Sequence, residues 1–143
     1  MMIYVLCGIP GSGKTTIANQ LAEQHGYKVH SYDELCSEDI SDIETKKKWF
    51  DNIRTDLLSG RNVICDCRCL ESGCRKWILQ QFADISCEKV LLFKVVPLEI
   101  CLERNALREG KAKLSEEHIR RCLMSLEPPT KDEGWDKIYV YKD

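Results

Sequence analysis

Short apolar runs alternate along the chain with stretches in which apolar residues recur every three or four positions. Ile3–Cys7, Lys28–Tyr32, Asn62–Asp66, Val90–Val96 and Lys137–Tyr141 read as strands, because each is short, rich in branched or aromatic residues and bounded by polar or glycine positions. Between them, Thr15–Gln24 reads as a helix. Glu38–Leu58 is a second, placing Ile43, Phe50, Ile53 and Leu57 near one face. Trp77, Ile78, Gln81, Phe82 and Ile85 keep a similar period. So do Ile119, Cys122, Leu123 and Leu126, preceded by Ser115 as a helix cap with Glu116 and Glu117 in the first turn. The alternation predicts an α/β fold, a parallel sheet with helices on both faces. Glu127–Gly134 (EPPTKDEG) reads as a loop from its prolines and glycine.

The length of 143 residues suits one domain over 1–143, and no internal repeat or low-complexity linker divides it. A hydrophobic fraction of 43% allows a sizeable core. The net charge of −2 argues against bulk attraction to nucleic acid or anionic membrane, while leaving room for a local basic groove. MMIYVLCG lacks a basic lead and a cleavage site, so no signal peptide is expected, and no apolar run is long enough to span a bilayer. A cytoplasmic protein with reduced thiols is the expectation.

Gly8-Ile9-Pro10-Gly11-Ser12-Gly13-Lys14-Thr15 satisfies every fixed position of G-x-x-x-x-G-K-[ST], with a strand before it and a helical pattern after it. Glycines let backbone amides turn inward toward phosphate oxygens, and the following helix aims its positive end at the same anion. Gly8, Gly11, Ser12, Gly13, Lys14, Thr15 and Thr16 form the candidate nucleotide-binding set. Lys14 would reach the β- and γ-phosphates and Thr15 would hold Mg²⁺, so ATP and Mg²⁺ are the expected ligands. The guanine-recognition pattern N-K-x-D does not occur, which lowers the GTPase option, and the length suits a small phosphotransferase.

In a parallel sheet, ligands gather at the carboxyl ends of the strands. Asp33 follows the second strand and Asp66 ends the third. Asp33 is the candidate base for an acceptor hydroxyl, with a turn or cap aspartate as an equal alternative. Asp66 is the candidate second metal ligand. Arg104 and Arg108, four apart, would share a helical face and clamp the transferring phosphoryl group. Their alternative is an exposed basic face paired with Glu103 and Glu109. The break at Gly110 and the basic run to Lys113 favour a lid over about 104–115.

The chain resembles the small P-loop kinases, and among them the kinase domain of phage polynucleotide kinase. GIPGSGKTT is general to such kinases, whereas ERNALREGKAKLSEEHI resembles the lid segment, SYDEL the stretch bearing the general base, and VICDC the third strand. EPPTKDEGWDKI resembles the tail of this group. The resemblance implies a five-stranded sheet of order 2-3-1-4-5, Arg104 and Arg108 on the phosphates, and transfer of the ATP γ-phosphate to a hydroxyl. Two departures fall on the acceptor side. Cys36 stands where the family has a substrate-gripping arginine, and Cys67-Arg68-Cys69-Leu70 replaces the usual residues after the third strand. Arg68 or Arg75 is the candidate replacement. The expected acceptor is the 5′-hydroxyl of RNA or DNA. The alternatives are a nucleoside, nucleotide or sugar as acceptor, or a nucleotide-binding switch without catalysis, which Asp33 and the arginine pair oppose.

Nine cysteines is a high count, and four lie within VICDCRCLESGC. Cys65, Cys67 and Cys69 would share one strand face, with Asp66 and Arg68 on the other. Their spacing is unusual for zinc, and no C-x-x-C pair occurs, so small buried hydrophobes are the favoured reading, with Cys67 and Cys69 oxidation-prone if exposed. Lys46-Lys47-Lys48-Trp49 fits a solvated face, with Trp49 at its edge, better than a nucleic-acid patch.

Overall fold

The computed structural model describes residues 1–36, 41–110 and 113–142. Its elements run β1 (Met2–Cys7), α1 (Lys14–His25), β2 (Lys28–Ser31), α2 (Tyr32–Leu35), α3 (Asp42–Leu58), β3 (Val63–Asp66), α4 (Ser72–Gln81), β4 (Glu88–Val95), α5 (Leu98–Ala106), α6 (Glu116–Ser125) and β5 (Lys137–Lys142). The five strands form one sheet in the order β2-β3-β1-β4-β5, parallel at every pairing. This is the architecture the alternating pattern and the family resemblance imply.

The central strand shows why the sequence folds this way. Ile3, Val5 and Cys7 point to one face, where they meet Trp49, Phe50, Ile53 and Leu57 of α3 and Ile78 of α4. Tyr4 and Leu6 point to the other, against Ile17, Ala18 and Leu21 of α1. A strand buried on both faces must be apolar at nearly every position, as IYVLC is. Ile53 and Leu57 are 0% exposed, and truncating either to alanine costs about 2–5 kcal/mol. A third cluster joins Ile9 of the glycine loop to Cys101 of α5 and Ile119 and Cys122 of α6, anchoring the loop from behind.

Several expectations shift. The second strand ends at Ser31, whose hydroxyl accepts from the Glu34 amide and starts α2, so Asp33 lies in a short helix. The helix expected from Glu38 is described from Asp42, with Ser41 as its cap, and Glu38 lies outside the described residues. Ile43 is 83% exposed, and Thr45 and Trp49 take its place on the buried face. Trp49 is therefore core, not rim: its indole donates to the His30 carbonyl and it packs edge-on against Tyr32 and Phe50. Lys46 lies over the Trp77 ring, and Lys47 and Lys48 are exposed, as a solvated face requires. Among the described residues no helix is long and apolar enough to cross a membrane.

Candidate active site

The chain between β1 and α1 is a tight turn. Gly11 and Gly13 adopt φ of 85° and 93°, where a side chain is strained. A Cβ on Gly11 would also lie 2.6 Å from the Cys101 carbonyl. Gly13 caps α1 without any side-chain hydrogen bond, so the amides of the first helical turn stay open toward an anion. The loop is braced from outside: Arg104 donates to the Gly11 carbonyl at 3.2 Å, and the Gly8 amide donates to the Arg68 carbonyl at 3.3 Å.

Lys14 donates to the Ile9 carbonyl at 3.3 Å, folding back along the loop it follows. Burial pulls its ammonium below the ordinary lysine value, and nearby Asp66 opposes that shift. Thr15 donates from its hydroxyl to Asp66 Oδ2 at 3.1 Å. Burial raises Asp66 above the ordinary carboxylate range, against the bond from Thr15 and the charge of Lys14. A hydroxyl and a carboxylate side by side at the head of the phosphate loop are the hard oxygen donors that Mg²⁺ takes, usually alongside nucleotide phosphates and water. The fully buried Ser12 hydroxyl has no hydrogen-bond partner in the structure and sits inside the same loop. Open amides, an orphaned hydroxyl and paired oxygen donors fit a nucleotide with its metal.

These residues line a cleft of about 550 Å³ together with Ser31, Asp33, Glu34, Cys36, Cys67, Arg68, Arg108 and Leu114. Asp33 is exposed there, and its charge with that of Glu34 contributes to raising Asp66. The two expected arginines arrive differently from the sequence reading. α5 ends at Ala106, so Arg104 is helical while Arg108 lies beyond the helix. They share no helical face, yet both approach the loop, Arg104 as its brace and Arg108 as part of the cleft wall. Thr16, one position on from Thr15, is exposed on α1.

The two candidate acceptor arginines part company. Arg68 lines the cleft, and its Nη1 lies 2.8 Å from His118 Nε2 on α6. Arg75 is 0% exposed and cannot reach an acceptor. Its guanidinium donates to both Glu133 oxygens, at 2.7 and 2.9 Å, and to the carbonyls of Cys69, Leu70 and Glu127. With all its donors engaged, Arg75 ties the loop after β3 and the helix α4 to the EPPTKDEG segment. Offered as a replacement for the arginine absent at Cys36, Arg75 instead lies on the buried face of α4.

A protein-family model described as "AAA domain" matches residues 3–129. The chain belongs to this family. A probable gluconokinase of Xenopus tropicalis is 25% identical over 99% of this chain and 87% of its own length. A cytidylate kinase of Ignicoccus hospitalis is 29% identical over 77% of this chain, which spans 66% of that relative. Among solved structures, a chain of the Pnkp1/Rnl/Hen1 RNA repair complex superposes with a TM-score of 0.77 at 17% identity, over 87% of this chain and 43% of the other. That likeness shows the shared fold. The AAA-domain chain is thus a small P-loop kinase-family protein, as its phosphate loop and lid-like segment implied.

One residue of the site went unnoticed in the sequence. Asn105 is 5% exposed, donates to the Leu114 carbonyl at 2.6 Å and accepts from the Leu114 amide at 2.9 Å. It ties the end of α5 to Leu114, which lines the cleft. Its lone polar side chain on the inward side of α5, beside Cys101, was the available signal. Among the described residues no three His, Cys, Asp or Glu side chains converge as a metal site, and the cysteines of VICDCRCLESGC contribute none.

Proposed function

We propose that the protein is a kinase that transfers the γ-phosphate of ATP to a hydroxyl group, with the 5′-hydroxyl of RNA or DNA as its acceptor. The observation that carries this reading is one cleft lined by Lys14, Thr15 and Asp66 together with Asp33, Arg68 and Arg108. The loop amides and Lys14 hold the nucleotide phosphates. Mg²⁺ held through Thr15 and Asp66 would neutralise charge on the transferring group. Asp33, exposed in the cleft, takes the proton of the attacking hydroxyl. Arg104 keeps the loop in shape and Arg108 comes in from the lid to face the phosphates. Arg68 holds the acceptor.

A second reading, phosphorylation of a small polyol or nucleoside, is favoured by two observations. The gluconokinase match runs along nearly the whole chain, and the burial of Arg75 leaves Arg68 and Arg108 as the arginines lining the cleft. The test is transfer from γ-labelled ATP with Mg²⁺ to 5′-hydroxyl oligonucleotides, nucleosides, nucleotides and gluconate-like sugars. Label on oligonucleotides supports the first reading. Label on a small acceptor with blank oligonucleotides selects the second. ATP binding with no acceptor labelled would leave a nucleotide-binding switch and overturn both.

A further inference from the structure

Arg68 is held at both ends. Its carbonyl accepts from the Gly8 amide at 3.3 Å, which fixes its backbone against the phosphate loop. Its guanidinium reaches α6, where Nη1 lies 2.8 Å from His118 Nε2 and 4.0 Å from the Cys122 sulfur. An arginine has donors only, so His118 Nε2 accepts and the ring proton sits on Nδ1. Among the described residues Arg68 has no carboxylate within ion-pair distance. Its imidazole partner is neutral, so the guanidinium keeps its full charge in the cleft. His118 lies in the first turn of α6, its amide donating to the Ser115 cap at 3.1 Å. Ile119 beside it is 0% exposed and packs with Cys122 against Ile9 of the phosphate loop. His118 is half-buried and is not among the described residues that line the cleft, so it meets Arg68 from behind.

We propose that His118 is a positioning residue for acceptor binding, its neutral imidazole holding the Arg68 guanidinium in the cleft. The inference rests on the kinase reading above, in which Arg68 grips the acceptor. Lys14 lines the same cleft, and its charge and that of Arg68 oppose each other. An untethered guanidinium on a long flexible stem would turn from that like charge toward solvent. The bond to His118 prevents this and uses only Nη1. Among the described residues Nε and Nη2 of Arg68 make no hydrogen bond, so both can meet acceptor oxygens. A guanidinium already ordered binds without first losing rotamer freedom, so the contribution of His118 falls on acceptor affinity and not on the transfer step.

The test is steady-state transfer from γ-labelled ATP to a 5′-hydroxyl oligonucleotide, or to the small acceptor that takes label in its place. His118→Leu keeps much of the bulk and removes the accepting nitrogen. Its acceptor KM should rise about three- to tenfold, the cost of ordering one long side chain, with kcat and ATP KM unchanged. His118→Gln, whose side-chain oxygen can accept from Arg68, should recover most of that loss. Adding His118→Leu to Arg68→Ala should raise acceptor KM no further than Arg68→Ala alone, because two residues acting through one contact are not additive. Nitrogen NMR of the imidazoles should find the His118 proton on Nδ1 in the wild-type protein, and that preference should be lost in Arg68→Ala. Additive effects in the double variant, or a wild-type proton on Nε2, would overturn the proposal. Transfer to no acceptor at all would overturn the kinase reading and this role with it. Labelled acceptor with an unchanged KM in His118→Leu would overturn this role alone.

Discussion

The sides of the cleft assigned to donor and acceptor in the proposed function are built in opposite ways. The donor side is one continuous stretch, Gly8 to Thr15, held between a strand and a helix and joined by Asp66 across the adjacent β1–β3 pairing. The acceptor side is assembled from α2, the loop after β3 and the segment after α5, whose residues are far apart in sequence. A contiguous motif carries its own geometry, because neighbouring backbone atoms do the binding. A scattered one depends on side chains whose direction is set by packing. The contrast between Arg68 and Arg75 is this difference in miniature: seven positions apart, one reaches the cleft and the other is sealed beneath it.

Substitutions can break that comparison. Asp33→Asn should lower turnover about 100- to 10,000-fold while ATP affinity is unchanged, since it removes a proton acceptor and leaves the loop intact. Turnover and isothermal titration with ATP measure both, and undiminished turnover would remove Asp33 from the chemistry. Arg75→Ala should destabilise the fold by about 3–5 kcal/mol, read by urea unfolding, because it strands the buried Glu133 carboxylate. A variant of full stability with weakened acceptor binding would show that Arg75 works in the cleft after all. Arg68→Ala should leave stability within about 0.5 kcal/mol. Its acceptor KM should rise about tenfold, the scale of one charge-assisted hydrogen bond, with ATP KM unchanged.

The smallest effect is a pH dependence. Burial raises the Glu133 carboxyl, but the bonds from Arg75, Trp135 and the Thr130 amide outweigh it, and the net shift is downward. A carboxylate depressed in the folded state contributes stability that is fully present above its unfolded value, about 4.3, and is lost as pH falls through the lower folded value. Stability followed by urea titration should therefore decline below about pH 4. Glu133→Gln should flatten that decline while lowering stability at neutral pH. An unchanged acid slope would mean that other carboxylates govern the transition.

Reading the chain in order recovered the strands, most helices and the sheet type, because each rests on local periodicity. Its resemblance to P-loop kinases supplied the strand order. The places where it missed share a cause. Ile43 and Trp49 exchanged roles because a helical face is one continuous stripe, and only the contacts of α3 with the sheet show which edge of the stripe is covered. Arg108 left the helix of Arg104 because α5 stops at Ala106, where the Asn105 side chain binds Leu114, a partner nine positions on. Cys67 and Cys69 were placed on one strand face, but β3 stops at Asp66 and the left-handed turn at Cys69 reorients both.

The phosphate loop and the alternation of strands and helices follow from residues adjacent in the chain, where backbone geometry alone decides the outcome. Which arginine lines the cleft and which is buried, and where Leu114 lies relative to α5, follow from contacts beyond the local chain. Close packing and the need to pair every buried charge permit one arrangement among many that the same residues could otherwise adopt.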